Sequence, residues 1–193
     1  MATVHEIEQR LFSWAPRESA MDWDNVGHLV GDPEQEVERI LVALDITERV
    51  VQEAIDCGAQ LIVSHHPVMN VRWHEREMQT LRPDTRLGGL LTMLVKNDIS
   101  AICMHTNLDA ADGGVNDCLA HALGLSGLSL LNEEKIGRIG TLSCEIPLEE
   151  FLPAVVKSLG CSGLRFRGGS GRVHRVAVGG GACGEYIPQA IAQ

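Results

Sequence analysis

The sequence predicts an α/β fold with a mainly parallel sheet and helices on both of its faces. Short apolar runs, typical of buried strands, alternate with segments of helical period at the spacing of βα units. Polar loops rich in His, Asp and Gly follow two of the predicted strands, at the sheet edge where such folds place their sites. A chain of 193 residues is long enough for one domain, or for two small lobes that share a core.

The first predicted helix opens with a capping box. Thr3 can accept a hydrogen bond from the backbone of the first turn, while the Glu6 side chain reaches back to the cap. Ile7 and Leu11 then repeat at helical spacing, and Pro16 is expected to end the helix.

Two buried strands are predicted next, at residues 39–46 and 61–66. The helix between them begins after Thr47, a good N-cap residue, and Gly58 is a plausible stop. A long loop is expected over residues 68–83, and long loops are often functional.

The alternation continues with a helix over residues 85–97, a strand over 99–105 and, after a Gly- and Asp-rich loop, a helix over 115–125. In the second half we expect a repeat of the β–α–β theme. Its strands and helix are predicted at 137–146, 148–160 (opened by Pro147), 164–167 and 172–180.

We therefore expect a first lobe at residues 1–128 and a second at 129–193. The chain stops at Gln193 within a predicted helix that follows a buried strand. We expect it to be a fragment whose second lobe is incomplete.

The composition of the chain indicates which classes of binding partner to expect. A formal charge of -10 repels phosphate backbones, so a nucleic-acid partner is disfavoured, although a bound dication could still attract a small anionic substrate. The six cysteines form no C-x-x-C pair, and most, such as Cys103 and Cys144, sit in apolar runs and are expected to be buried. No signal segment or membrane-length apolar run is seen, so we expect a soluble, cytoplasmic protein with no membrane partner.

His65 and His66 end a predicted strand immediately before Pro67. Neighbouring side chains on an extended strand point to opposite faces, so both can serve one metal only if the strand breaks there. Alternatively the pair could serve two metals lying close together. For the pair taken alone, the favoured interpretation is that one histidine packs in the core and the other lies in solvent.

His105 and Asp109 strengthen the metal hypothesis, because they follow the next strand of the predicted sheet. Imidazole with carboxylate suits Zn, Mn, Fe or Ni better than Ca. The competing interpretation is an Asx turn into a helix, capped by Asp112 or Asn116. Both can hold, with Asp109 facing the site.

Two further patterns have plain structural interpretations. The glycines of G-x-G-x-x-G at Gly179, Gly181 and Gly184 have the local context of a nucleotide site but are better explained as a tight turn. A local basic patch could meet an anion, but charges of this kind also protect exposed strand edges. Its members are Arg165, Arg167, Arg172 and Arg175.

Four segments, in order and spacing, resemble the Nif-three-like proteins, often called GTP cyclohydrolase I type 2 homologues. They are MDWDNVGHLVGD, LIVSHHP, HTNLDAADGGVND and VAVGGGACGEYI. The resemblance covers nearly the whole chain and implies two similar α/β lobes joined directly, with a two-metal centre in the cleft between them. It also implies a homo-oligomer, a toroidal hexamer.

The resemblance carries metal ligands over to His65, His66 and Asp109. His105 matches a histidine of the same site, as a ligand or as a residue that supports ligands or binds substrate. The family's second metal segment, a His followed four residues later by a bridging Glu, would lie beyond Gln193. The implied function is a metal-dependent hydrolase acting on GTP, another nucleotide or a phosphoester. The alternative is a non-enzymatic metal-binding or partner-binding ring protein.

Overall fold

The computed structural model describes residues 1–70 and 80–193. Within them the chain forms two compact units, Met1–Leu108 and Asp109–Gln193. The lobes expected at 1–128 and 129–193 stay a prediction about domain organisation. Residues 71–79 of the loop expected at 68–83 lie outside the described part of the chain.

The first unit contains a four-stranded sheet and the helices around it. The strands of this sheet are β2 (Gly27–Val30), β4 (Ile40–Ala43), β5 (Leu61–Ser64) and β6 (Ser100–Cys103). A separate two-stranded pair consists of β1 (Ala2–Thr3) and β3 (Glu36–Val37). The helices are α1 (Val4–Phe12), α2 (Glu48–Cys57), α3 (Arg86–Lys96) and α4 (Thr106–Ala110), whose last residues belong to the second unit.

The sheet order is β2-β6-β5-β4, and β4, β5 and β6 run parallel as predicted. Strand β2 pairs antiparallel with β6 and was not predicted. It is only four residues long, and both Gly27, its first residue, and Gly31, which follows it, have positive φ (+107° and +106°), so its sequence resembles that of a turn.

Helices α2 and α3 pack on this sheet around one apolar core. Val51 of α2, Leu94 of α3 and Ile62 of β5 are fully buried within it. Each side chain of this kind contributes about 1.5–3 kcal/mol through removal from water. The core therefore fixes the sheet whose strand ends carry the histidines.

The caps of helices α1 and α2 are those that the sequence predicts. The Thr3 backbone donates to Glu6 Oε2 at 2.9 Å, and Thr3 Oγ1 accepts from the Glu6 backbone at 3.2 Å, which confirms the capping box. Thr47 caps α2, and Gly58 ends it with a φ of +67°. Helix α1 ends at Phe12, four residues before Pro16, because the chain already turns at Ser13.

The second unit contains an antiparallel sheet of order β7-β8-β9. Its elements are α5 (Val115–Ala122), β7 (Ser126–Leu130), β8 (Arg138–Pro147), α6 (Leu148–Ser158), β9 (Arg172–Val178) and α7 (Ile187–Ala192). The strands β8 and β9 flank a helix as expected, but they pair antiparallel rather than forming a parallel repeat.

Two local expectations in this unit are wrong. Residues 164–167 form no strand, because Leu164 and Phe166 stay exposed and glycines flank the segment. Cys144 is exposed rather than buried, since β8 shifts register between Thr141 and Ile146. Of the six cysteines only Cys103 is buried as expected, since Cys118 is also exposed and the other three are half-buried.

Buried polar side chains connect the loops of the second unit. Asn116 is fully buried, donates to the carbonyl of Asp109 at 2.9 Å and accepts from the Gly180 backbone at 2.8 Å. Helix α5 begins after Gly114, and Asp117 accepts from the Gly113 backbone at 2.6 Å. Asn116 therefore connects loops instead of capping the helix.

The glycine-rich segment after β9 is a tight turn. Gly181 has a φ of +75°, and a one-turn 3-10 helix at Cys183–Tyr186 follows. A Cβ atom at Gly179 would lie 2.7 Å from the Cys183 sulfur, so glycine is required for close packing. No helix in the described ranges combines the length and the apolar character needed to cross a membrane.

Candidate metal site

Two parallel strands bring three histidines together. Strands β5 and β6 pair so that Ser64 lies opposite Cys103, and each of these residues ends its strand. His65 and His66 follow the first strand directly, and His105 follows the second after one intervening residue. Loops after neighbouring parallel strands meet at one edge of a sheet, as the sequence predicted.

We call His65, His66 and His105 the histidine group. Their ring centroids lie 5.1 Å apart for His65–His66 and His65–His105, and 5.5 Å apart for His66–His105. The rings are inclined at 49° to 79° and do not stack.

One ring nitrogen from each of these histidines lies within 4.8 Å of the other two. Some point is therefore no more than about 2.8 Å from all three nitrogens, against about 2.0–2.1 Å for a Zn–N bond. A movement of less than about 1 Å would bring the rings to bonding distance.

The adjacent pair converges because the strand bends after Ser64. The backbone of His66 donates to the Leu44 carbonyl at 2.9 Å, and Ser64 Oγ donates to the His66 carbonyl at 2.8 Å. Pro67 follows at once. The regular alternation of the strand is lost, and both rings come close together.

Each ring of this pair is oriented through its Nδ1 atom. His65 Nδ1 donates to the Met104 carbonyl at 2.9 Å, and His66 Nδ1 donates to Asp45 Oδ1 at 2.8 Å. A carbonyl or carboxylate oxygen can only accept, so Nδ1 carries the proton and Nε2 carries the lone pair in the neutral ring. Metal-ligating histidines in proteins are almost always held in this way.

His105 is held by a carboxylate that the sequence analysis did not single out. Its Nδ1 donates to both oxygens of Asp24, each at 2.9 Å. The Asp24 side chain has no exposed surface, and only 12% of the His105 side chain is exposed. The Asp24–His105 pair is therefore enclosed by protein.

The protein keeps Asp24 ionised. Burial by itself raises the pKa of this carboxyl group, but hydrogen bonds from His105, from the Thr106 hydroxyl and backbone, and from the Asn25 backbone outweigh burial. The pKa of Asp24 is lowered to about 2 as a result. The carboxylate thus stays negative beside the His105 ring.

Asp45 was also missed, and its setting is different. Its side chain is 55% exposed, and that of His66 is 44% exposed. Water competes for a contact of this kind, so the carboxylate orients its ring less strongly than Asp24 does. The signal for Asp24 was its place in the MDWDNVG segment; no local pattern marked Asp45.

Asp109, the remaining predicted ligand, is buried and lies in α4, within the second compact unit. Its negative charge contributes, after burial, to a raised pKa of the Cys183 thiol in the same unit. The histidine group is drawn from the first unit. Asp109 stays a predicted ligand.

The donor set fits a divalent transition metal. Three imidazoles with Nδ1 bound to oxygen acceptors suit Zn, Mn, Fe or Ni, and three protein ligands with an open position are typical of catalytic zinc. Calcium, which takes oxygen ligands, fits the histidine group poorly.

Comparison with known proteins agrees with the resemblance in the sequence. A sequence model of the family Duf34/NIF3 (NGG1p interacting factor 3) matches residues 2–193. A Clostridium perfringens protein named "GTP cyclohydrolase 1 type 2 homolog" is 36% identical over 183 residues, which cover 91% of this chain and 68% of that protein. A Halalkalibacterium halodurans protein of the same name is 41% identical over 129 residues, 67% of this chain and 32% of the relative.

Comparison with solved structures indicates the same family. A Bacillus cereus protein described as related to NIF3 superposes with a TM-score of 0.91 at 25% identity, over 100% of this chain and 80% of that one. The chain thus spans from about a third to four fifths of the proteins it matches here. The chain therefore belongs to the Duf34/NIF3 family.

Proposed function

We propose that this chain binds a divalent transition metal at the histidine group and acts as a metal-dependent hydrolase. The main support for this proposal is the geometry of the three histidine rings. Three ring nitrogens converge within 4.8 Å while each Nδ1 atom is held by an oxygen acceptor. A site of this kind is set up for coordination before any metal arrives.

In this proposal His65, His66 and His105 hold the ion, with Asp109 as a further predicted ligand. A bound divalent ion supplies Lewis acidity and lowers the pKa of water that it coordinates. The chain orients the rings through Met104, Asp45 and Asp24, and the enclosed Asp24–His105 pair keeps part of the site away from bulk water.

The first substrates to test are GTP, other nucleotides and phosphoesters. The name of the relatives suggests GTP ring opening, in which water attacks a purine carbon. The formal charge of -10 opposes the approach of an anionic nucleotide. A dication at the histidine group would reverse that sign locally, so metal and substrate binding should be coupled.

The test is turnover of GTP and of a general phosphoester by protein loaded with Zn or Mn. We expect His65→Ala and Asp109→Ala to lower turnover at least about 100-fold, since each change removes a ligand. His5→Ala serves as the matched control, because His5 is an exposed histidine on α1 outside the histidine group. Equal turnover in the ligand variants and the parent would contradict the proposal.

A second candidate is a non-enzymatic metal-binding role. The observation in its favour is that Asp24 and Asp45, the carboxylates that contact these rings within residues 1–70 and 80–193, both accept from Nδ1 atoms. In that contact they orient ligands and are not placed to take a proton from water. Metal content that depends on His65, with no turnover of any substrate under any metal, would favour this role.

The family resemblance adds further proposals. They are a second ion in each subunit, a toroidal homohexamer and a cytoplasmic location. Sedimentation of the protein with and without metal tests the ring, and the ratio of ion to chain tests the second ion.

A further inference from the structure

We propose that Asp24 is a positioning residue that fixes both the tautomer and the orientation of His105. The geometry holds the proton on His105 Nδ1, so that Nε2 is the nitrogen presented to a metal. The metal-binding half of this inference rests on the proposed function. The tautomer half concerns the protein alone and can be tested without metal.

The contacts of Asp24 require an ionised carboxylate. Oδ1 accepts from the Asn25 backbone at 2.7 Å, and Oδ2 accepts from the Thr106 backbone at 3.0 Å and from the Thr106 hydroxyl. Both oxygens also accept from His105 Nδ1. Asp24 thus accepts in every one of these hydrogen bonds. A protonated carboxyl group would turn its own O–H toward one of these donors, so the contacts fit the charged form.

An asparagine amide cannot replace this carboxylate in either orientation. One orientation turns the amide NH2 against the Asn25 backbone N–H, and the other turns it against the Thr106 backbone N–H. The amide then relieves the conflict only by moving away from a backbone donor or from His105. Asp24→Asn therefore leaves His105 Nδ1 with one amide oxygen in place of two carboxylate oxygens, held in a conflict with a backbone donor, while keeping the size of the side chain.

The segment around Asp24 also connects the loops that follow β5 and β6. Asn25 Nδ2 donates to the Met69 carbonyl at 2.8 Å, and Asn70 Nδ2 donates to the Trp23 carbonyl at 3.3 Å. Asp24 itself binds the backbone of Thr106 in the loop after β6. Residues 23–25 therefore hold both histidine-bearing loops, and Asp24 makes the contact that reaches a ring.

The Asp45–His66 pair provides a matched comparison. It has the same groups and a similar distance, 2.8 Å, but both side chains are about half exposed. Because Asp24 has no exposed side-chain surface, water cannot replace it as the acceptor. The two carboxylates should therefore differ in their effect on metal affinity although their contacts look alike.

The first experiment measures the tautomer of His105 in the metal-free parent by long-range 1H–15N correlation, with the ring assigned by its loss in His105→Gln. We expect a protonated Nδ1. Asp24→Asn should shift the ring toward protonated Nε2 or a mixture, whereas Asp45→Asn should leave His105 unchanged. A parent ring protonated on Nε2 would overturn the proposal, whether or not the Asp24 variants fold.

The second experiment measures Zn affinity by competition with a chromophoric chelator, together with the Co absorption spectrum. We expect Asp24→Asn and Asp24→Ala to weaken Zn about 10–100-fold and to change the Co spectrum, as loss of a partner that orients a ligand does. Asp45→Asn should weaken Zn about 2–3-fold. Parent-like affinity and spectrum in both Asp24 variants would contradict the inference.

The two experiments separate the possible failures. If the parent binds no metal, the proposed function fails, and the tautomer measurement still decides the role of Asp24. If the parent binds metal and His105 carries its proton on Nε2, the proposed function stands and the role of Asp24 is refuted.

Discussion

Asp24 in the first unit and Arg138 in the second both have buried charged side chains that contact the backbone, but Asp24 also contacts a ring. Asp24 accepts from the His105 ring, and so acts on a side chain that can bind a ligand. Arg138 is 3% exposed and pairs with Asp117. Its other hydrogen bonds go to the backbone carbonyls of Lys135, Gly137, Ala110 and Ala111.

The difference shows how to separate function from architecture among buried polar residues. Burial alone indicates only that the group must be satisfied. The contacts of Arg138 with backbone carbonyls hold the chain, whereas the contact of Asp24 with the His105 ring nitrogen sets the chemistry of that ring. Changes at Arg138 should therefore lower stability, and changes around the histidine group should mainly lower metal affinity.

The largest expected effect is on stability, at Arg138. Arg138→Met should lower the free energy of unfolding by about 3–5 kcal/mol, because it leaves Asp117 and several carbonyls without their buried cation. Urea unfolding measures this. The matched control is Arg172→Met, whose ion pair with Glu145 is more than half exposed and should change stability by less than about 1 kcal/mol. Similar losses in the two variants would refute the distinction.

The next effect is stabilisation by metal. Zinc at 100 times its dissociation constant should raise the free energy of unfolding of the parent by about 2.7 kcal/mol, because it binds only the folded site. His65→Ala should lose this gain while keeping the metal-free stability nearly unchanged. Thermal unfolding with and without zinc makes the comparison. An equal gain in His65→Ala would place the bound zinc elsewhere.

Asn116 should give an intermediate loss. Asn116→Ala removes hydrogen bonds to the Asp109 carbonyl and from the Gly180 backbone in a fully buried position, which should cost about 1–3 kcal/mol. Amide hydrogen exchange at Gly180 should rise in the variant. Unchanged exchange at that amide would show that the side chain does not hold the turn.

Asp45 should give the smallest effect on stability. Asp45→Asn changes an exposed contact with His66 and should alter the free energy of unfolding by less than about 0.5 kcal/mol. Asp24→Asn should lower the free energy of unfolding by more than about 1 kcal/mol, since it places the amide NH2 against a backbone N–H at a buried side chain. A larger loss for Asp45→Asn than for Asp24→Asn would reverse the order that burial predicts.

The sequence predicted those parts of the fold that depend on local signals. The caps at Thr3 and Thr47, the stop at Gly58 and the parallel strands were all read correctly. The antiparallel pairing of β8 with β9 was not, because strand direction in a sheet depends on tertiary packing. Strand β2 escaped notice because it is short and flanked by glycine.

The sequence predicted the histidines of the site, which have a local signal, but not the residues that hold their rings. The positions of His65, His66 and His105 at the ends of predicted strands indicated a site, and the structure brings their rings together. The partners of the rings are far away in the chain: Asp24 precedes His105 by 81 residues, and Asp45 precedes His66 by 21. A contact over such separations is made by folding and leaves no local pattern.

The most direct test of the histidine group as a metal site is zinc binding by equilibrium dialysis, with the parent compared to His65→Ala, His105→Ala and the control His5→Ala. We expect at least one tightly bound ion per chain in the parent and in His5→Ala. The same experiment should show at least about a 100-fold weaker site in each of the other two variants. Equal zinc content and affinity in all four proteins would contradict the assignment of the histidine group as a metal site.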